Sequence, residues 1–153
     1  MVRQAYAGLG CLDAAVREFD ALKPYAAELL DLRRSCRFGS ADHNALGVAY
    51  DGLQTAAFHF TRRPQFYLEL EIEIGPASEG NGRLSDRAEA AAAFDTLAPY
   101  AQRLRSLRTR CRPLGRDYLA LSVALESLDT AAFHFTRKAA FYGSKSDSAG
   151  PVR

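Results

Sequence analysis

The chain has 153 residues, of which 48% are hydrophobic and 25% charged, as is typical of a globular domain. Its 20 basic and 18 acidic residues give a formal net charge of +2, too weak a field to indicate nucleic acid or an acidic membrane. No stretch reaches the roughly eighteen apolar residues of a membrane span, and three cysteines without CxxC spacing form no disulfide framework. We therefore expect a cytoplasmic protein without a membrane segment.

The chain repeats itself. A shift of 75 positions aligns residues 19–67 with residues 94–142 without a gap, and 27 of these 49 positions are identical. The most faithful block, residues 55–62, recurs letter for letter as residues 130–137. This self-similarity predicts an internal duplication of one unit of about 75 residues.

Each copy has the pattern of a helical hairpin. In the first copy, apolar residues recur at steps of three or four from Leu12 to Cys36, as on one face of a helix. A Gly-Ser pair at 39–40 interrupts this pattern, Asp42 is a suitable N-cap, and helical spacing resumes from Leu46 to Phe60. The first copy therefore predicts two helices joined by a short turn.

The second copy predicts two more helices, beginning at Ser85 or Asp86 and again after the N-cap residue Asp117. Two hairpins with uncovered apolar stripes are expected to dock as a four-helix bundle with pseudo-twofold symmetry. Pro24 and Pro99 lie at matching places inside the first helix of each copy. Because an interior proline removes a backbone hydrogen bond, each of these helices should kink or restart there.

The segment 68–74 alternates apolar and acidic residues, which predicts a short half-buried strand. Such a strand would pair with another subunit, pair with a different protein, or lie on the bundle as an extended linker. Glutamate also favours helices, so the preceding helix could instead continue. The predicted organisation is one domain over 1–142, with hairpin one at about 12–67, a linker at 68–84, hairpin two at about 85–142, and a disordered tail at 143–153.

The two histidines of the repeated block are the sharpest candidates for a binding site. Two symmetry-related imidazoles could bind a metal or a haem iron between facing helices, with a threonine one turn earlier positioning each ring and an arginine three residues later. The alternative is a structural histidine beside an aromatic cluster. No HExxH, ExxH or CxxCH motif identifies a metal or a cofactor, so the identity of any metal or cofactor is left open. The candidate ligand-binding set is His59, His134, Thr55, Thr130, Arg62 and Arg137.

Residues 59–64, His-Phe-Thr-Arg-Arg-Pro, resemble the H-box of sensor histidine kinases. The resemblance implies a phospho-accepting His59. It covers six residues, and Phe60 stands where that family has an acidic residue that activates the imidazole. In the second copy, Ala139 stands where the proline should be.

Cys36 and Cys111 occupy matching helix ends, and each precedes an arginine that would lower the pKa of an exposed thiol. They are therefore candidate reactive thiols, and burial as small apolar side chains is the alternative. Six arginines between positions 103 and 116 offer a surface that could contact nucleic-acid phosphates.

No phosphate-binding loop, GxSxG motif or other catalytic residue set is present. We therefore predict a non-enzymatic helical module that acts through protein–protein interaction or self-association. One alternative is a haem-, metal- or small-ligand-binding bundle that uses His59 and His134. A lesser one is nucleic-acid binding through the arginine-rich helix.

Overall fold

The computed structural model describes residues 6–75, 84 and 86–142. Over these ranges the chain is entirely helical, without a strand, so the predicted all-α class is confirmed. The predicted number of four helices is wrong, because seven occur in the described ranges. They are α1 (Leu12–Ala21), α2 (Lys23–Arg34), α3 (Ala41–Thr61), α4 (Leu68–Ile74), α5 (Arg87–Asp95), α6 (Ala98–Thr109) and α7 (Arg116–Thr136).

The two prolines explain part of the higher helix count. The first helix of each copy ends just before its proline, and Pro24 and Pro99 lie in the first turns of α2 and α6. A first-turn residue needs no backbone N–H for the helix, so proline is tolerated there and not in the interior. Of the two predicted outcomes, a kink or a restart, each copy shows a restart, with buried Leu22 and Leu97 at the two junctions.

The linker adds the remaining helix. Segment 68–74, predicted as a strand, is α4, and Gly75 with a φ of +86° follows its end. The strand prediction is wrong, since the segment is helical and the Glu71 carboxylate accepts a hydrogen bond from the Tyr50 hydroxyl of α3 at 2.6 Å. Because segment 68–74 is helical, it cannot pair as a strand with the same segment of another subunit.

The starts of α3 and α7 also differ from prediction. Ser40 is the N-cap of α3, and its hydroxyl accepts from the backbone N–H of His43 at 3.1 Å, while Gly115 occupies the N-cap position of α7. Asp42 and Asp117, predicted as caps, lie in the first turns instead. Negative charge there is favourable because helix N-termini carry partial positive charge.

The second half begins at Asp86, whose carboxylate accepts from the backbone N–H of Ala88 at 3.3 Å and caps α5. Ser85, most of the linker beyond Gly75, and the tail 143–153 lie outside the described residues.

Helices α3 and α7 are the longest and pack against each other at the centre, with α1 and α2 against α3 and with α5 and α6 against α7. They approach closely at Gly52, where a Cβ atom would lie 2.2 Å from the Ser127 hydroxyl oxygen. The Cβ would also lie 3.2 Å from the Val123 carbonyl oxygen, so a residue larger than glycine would require the Ser127 side chain and the adjacent backbone to shift. No helix in the described ranges is both long and apolar enough to cross a membrane. The core residues of the two long helices include Leu46, Ala49, Leu53, Leu121, Ala124 and Leu128.

Candidate functional site

The two candidate histidines lie at opposite ends of the α3–α7 pair, each against an aspartate of the other half. His59 Nε2 is 2.7 Å from Asp117 Oδ1, and His134 Nε2 is 2.7 Å from Asp42 Oδ1. These two contacts also establish that α3 and α7 run antiparallel. Asp42 and His59 are 17 residues apart on α3, or about 25 Å at 1.5 Å per residue. The two imidazoles are therefore too far apart to bind one metal ion or haem iron.

The aspartates also decide the tautomer of each ring. A carboxylate can only accept, so Nε2 carries the proton in both histidines. The predicted positioning residues, Thr55 and Thr130, are exposed and make no hydrogen bond to the imidazoles among the described contacts. Each ring also packs edge-on against the phenylalanine that follows it, with centroids 4.8 Å apart. The sequence located the histidines and missed their partners, which are remote in the chain.

Arg62 and Arg137 end the two long helices. Both have left-handed backbone conformations, with φ of 62° and 63°, and each donates its backbone N–H to the carbonyl four residues earlier at 2.8 Å. The hydroxyls of Thr61 and Thr136 accept from the backbone two residues further on, at 3.2 Å. Helix termination therefore accounts for part of the identity between the repeated blocks. The Arg137 guanidinium lies 5.8 Å from the centre of the Phe133 ring.

Cys36 and Cys111 are buried, and their thiols contact the carbonyls of Leu32 and Leu107 at 3.5 and 3.6 Å. Burial raises the pKa of both thiols, and the nearby Arg110 offsets this only in part at Cys111. A raised pKa leaves little thiolate near neutral pH. These contacts favour a packing role for both, whereas Cys11 is exposed.

Four of the six arginines on and after α6 make contacts within the protein. Guanidinium groups held in this way have fewer donors to offer to phosphates. The contacts are those of Arg103 and Arg110 with Glu18, of Arg105 with the Tyr142 carbonyl, and of Arg108 with Ser122.

Matched exposed apolar residues lie along the solvent side of the two long helices, with exposed Asp51 and Glu126 between them. Val48 and Val123 are 52% and 47% exposed, and Phe58 and Phe133 are 45% and 43% exposed. Both pairs occupy matching positions of the two copies, and a threonine lies between them on each helix. We call this surface the outer face, defined by Val48, Thr55, Phe58, Val123, Thr130 and Phe133.

The sequence contained a signal for the outer face. The core positions of α3 step through Leu46, Ala49, Leu53 and Ala57, and Val48 and Phe58 fall outside that series. Large apolar residues off the core face of a helix indicate a second contact surface.

Comparison with family models, with curated proteins and with solved structures finds no match to this chain. Within the described ranges, no group of three or more His, Cys, Asp or Glu side chains could hold a metal ion.

Proposed function

We propose that this chain is a non-enzymatic helical module that binds a second copy of itself through the outer face. The observation that carries this proposal is the pair of matched apolar positions on α3 and α7: Val48 with Val123, and Phe58 with Phe133, all close to half-exposed. Removal of such side chains from water favours association. Large apolar side chains exposed on one side of a protein are typical of protein–protein contacts.

The arrangement of the outer face favours a second copy over an unrelated partner. A two-fold dimer uses the same patch on both subunits. Because α3 and α7 are antiparallel and carry the same valine, threonine and phenylalanine, such a dimer can make each contact twice. Two helices 21 residues long present roughly 30 by 20 Å, or about 600 Å² per subunit, which approaches the area that stable interfaces bury.

We also infer that the two halves arose by tandem duplication and form one four-helix bundle, with α1–α2 and α5–α6 each counted as one interrupted helix. Matched hydrogen bonds support this inference. The Tyr67 hydroxyl donates to the Phe19 carbonyl at 2.6 Å, and the Tyr142 hydroxyl donates to the Phe94 carbonyl at 2.5 Å. The 75-residue shift relates Tyr67 to Tyr142 and Phe19 to Phe94, so the two hydrogen bonds are equivalent.

Two contacts between equivalent residues support a pseudo-twofold axis. Tyr25 stacks on Tyr100 with ring centroids 5.3 Å apart, and Gly52 meets Ser127 at the close approach of α3 and α7. In both contacts, a residue of the first copy meets the residue at the equivalent position of the second copy. This is expected where a twofold axis passes between the two copies.

The sequence-based alternatives have less support. With His59 and His134 about 25 Å apart, a ligand could use one imidazole at a time, already bonded to an aspartate. Nucleic-acid binding would have to rely on arginines other than Arg103, Arg105, Arg108 and Arg110, which contact other residues of the chain. Location in the cytoplasm remains part of the proposal, and the unpaired cysteines are compatible with it.

The test is the mass of the chain in solution by light scattering across a dilution series. We expect a dimer that becomes a monomer in the variant Val48→Glu/Val123→Glu, because two charges would enter the apolar contact. Leu114→Glu is the matched control, since Leu114 is 76% exposed but lies in the turn between α6 and α7, so this variant should remain dimeric. A wild-type chain that is monomeric at about 100 μM, or a glutamate variant that still dimerises, contradicts the proposal.

A further inference from the structure

A pocket of about 370 Å³ lies between α2, α3 and α4, and we call it the α2–α4 pocket. This volume is within the range that holds small organic molecules. None of its lining residues belongs to the outer face, so a ligand there would be independent of self-association. The side chains that matter are apolar Leu30 and Ile74, aromatic Phe38, and polar Arg33, His43 and Glu71.

The two copies differ at this pocket in how one arginine is bonded. Arg108 in the second copy donates to the Ser122 hydroxyl at 3.1 Å. Its equivalent in the first copy is Arg33, and Gly47 replaces the serine. The Arg33 guanidinium lies 5.5 Å from the centre of the Tyr50 ring and interacts electrostatically with the Asp51 carboxylate, but it makes no hydrogen bond to the described residues comparable to that of Arg108. A guanidinium that lines a pocket and retains donors free of hydrogen bonds can bind an anion there, in competition with the attraction of Asp51.

His43 contributes a second unsatisfied group. Its Nδ1 atom is buried and has no hydrogen-bond partner among the described residues. The imidazole packs edge-on against Phe38, with centroids 5.0 Å apart, and Phe38 itself is 77% exposed. The second copy has Tyr118 and Pro113 at these positions. The first copy alone therefore combines an aromatic rim with a buried nitrogen that lacks a partner, which a ligand could satisfy.

Glu71 restricts where an anion can lie. Its Oε2 atom accepts from the Tyr50 hydroxyl at 2.6 Å and from Gln54 Nε2 at 3.3 Å, which holds the carboxylate on the α4 side of the pocket. A ligand carboxylate would be repelled there and attracted to Arg33 on α2. The pocket thus has a negative wall, a positive wall and an aromatic edge.

We propose that the α2–α4 pocket binds a small aromatic carboxylate, with its carboxylate accepting from Arg33 and its ring packed against Phe38. His43 Nδ1 donates to the same carboxylate when it carries the proton. The charge-assisted bond to the guanidinium provides orientation, and the ring contact provides apolar burial. This function is additional to self-association and does not depend on it.

The test is an NMR titration of the full chain with three probes. Benzoate carries ring and charge, acetate carries charge alone, and benzyl alcohol carries the ring alone. We expect benzoate to shift the side-chain signals of Arg33 and His43 and to saturate with a Kd of about 1 mM, with both other probes at least about tenfold weaker. Absence of saturation by benzoate, or binding of benzyl alcohol as tight as that of benzoate, overturns the proposal.

Three variants localise the binding. Gly47→Ser should weaken benzoate binding about tenfold or more, because the new hydroxyl would occupy the Arg33 guanidinium as Ser122 occupies Arg108. Ser122→Gly is the matched control in the second copy and should leave benzoate binding unchanged. Phe38→Ala removes only an exposed ring, so it should weaken binding without altering the unfolding transition. Unchanged benzoate affinity in both Gly47→Ser and Phe38→Ala would show that the site is elsewhere.

Discussion

The imidazole of His59, in the last turn of α3, lies 2.7 Å from the carboxylate of Asp117, in the first turn of α7. The equivalent pair, His134 with Asp42, has the same separation at the other end of the two helices. Each bond joins one half of the chain to the other. The histidines of the most faithful repeat block therefore connect the two halves.

We predict that each histidine–aspartate pair stabilises the fold on its own. In a double-mutant cycle, His59→Ala and Asp117→Ala should show a coupling of about 0.5–1 kcal/mol, because the pair is partly exposed. His59→Ala and His134→Ala should be additive, since the sites are about 25 Å apart. The measurement is urea unfolding followed by circular dichroism.

Thr55→Ala is the control for this cycle. The sequence suggested Thr55 as the residue that positions His59, whereas in the structure the imidazole bonds to Asp117. Coupling between Thr55→Ala and His59→Ala as large as that with Asp117→Ala would contradict this assignment.

A second prediction concerns the close approach of α3 and α7. Gly52→Ser should destabilise the chain by about 1–3 kcal/mol, because its Cβ would overlap the Ser127 hydroxyl. Ser127→Gly alone should cost at most about 1 kcal/mol, the ordinary price of glycine in a helix. The exchanged double variant, Gly52→Ser with Ser127→Gly, should be more stable than Gly52→Ser alone.

The exchange also tests the pseudo-twofold axis, since it swaps two equivalent residues across that axis. The readout is the free energy of unfolding of all four chains. If the double variant is as unstable as the sum of the two single variants, the surroundings of Gly52 and Ser127 are not equivalent.

Local patterns in the sequence were sufficient to predict most helices. Steps of three and four predicted the apolar faces of α3 and α7, and Pro24 and Pro99 indicated where the first helix of each copy is interrupted. Positions 68–74 were predicted incorrectly, because a seven-residue alternation of apolar and acidic residues suits a strand as well as a helix. In the helix, Glu71 contacts Tyr50, which is 21 residues away in the chain. A local sequence pattern cannot predict a contact of this kind.

Asp42 and Asp117 illustrate what the sequence could not supply at the candidate site. Their positions near helix starts suggested capping, which is a local function. Their histidine partners lie 92 and 58 residues away, and such contacts depend on how α3 and α7 pack. The α2–α4 pocket was missed for the same reason, since its residues come from three helices.

The cysteines give a third prediction. With Ellman's reagent at neutral pH, the native chain should show one fast thiol, Cys11, and two slow thiols, Cys36 and Cys111. Burial limits access to the two slow thiols and raises their pKa, so the thiolate fraction is small. All three should react quickly in urea. Loss of the fast phase in Cys11→Ser provides the assignment, and fast reaction of Cys36 in the native chain would contradict it.

The last prediction concerns the carboxylate of Asp129, whose Oδ1 accepts from the Tyr142 backbone N–H at 3.3 Å. In the first copy the neutral amide of Gln54 accepts from the Tyr67 N–H at 3.2 Å. Burial raises the pKa of Asp129, with smaller opposing effects of the Tyr142 hydrogen bond and Arg105. Asp129→Asn should therefore keep the acceptor, remove a desolvated charge, and raise the melting temperature at pH 7 by about 2 °C.

The sign of the pH dependence follows from the raised pKa. Between the unfolded pKa of about 3.9 and the higher folded pKa, the folded state holds the proton more tightly, so the wild type loses stability as pH rises. The gain in stability of Asp129→Asn over the wild type should thus be complete above the pKa of Asp129 in the folded state, and it should vanish below about pH 4. Gln54→Glu should destabilise the chain at pH 7, both because it adds a partly buried charge and because it replaces the amide that donates to Glu71 with a second carboxylate. An Asp129→Asn variant that is less stable at pH 7 would mean that attraction to Arg105 outweighs the cost of burial.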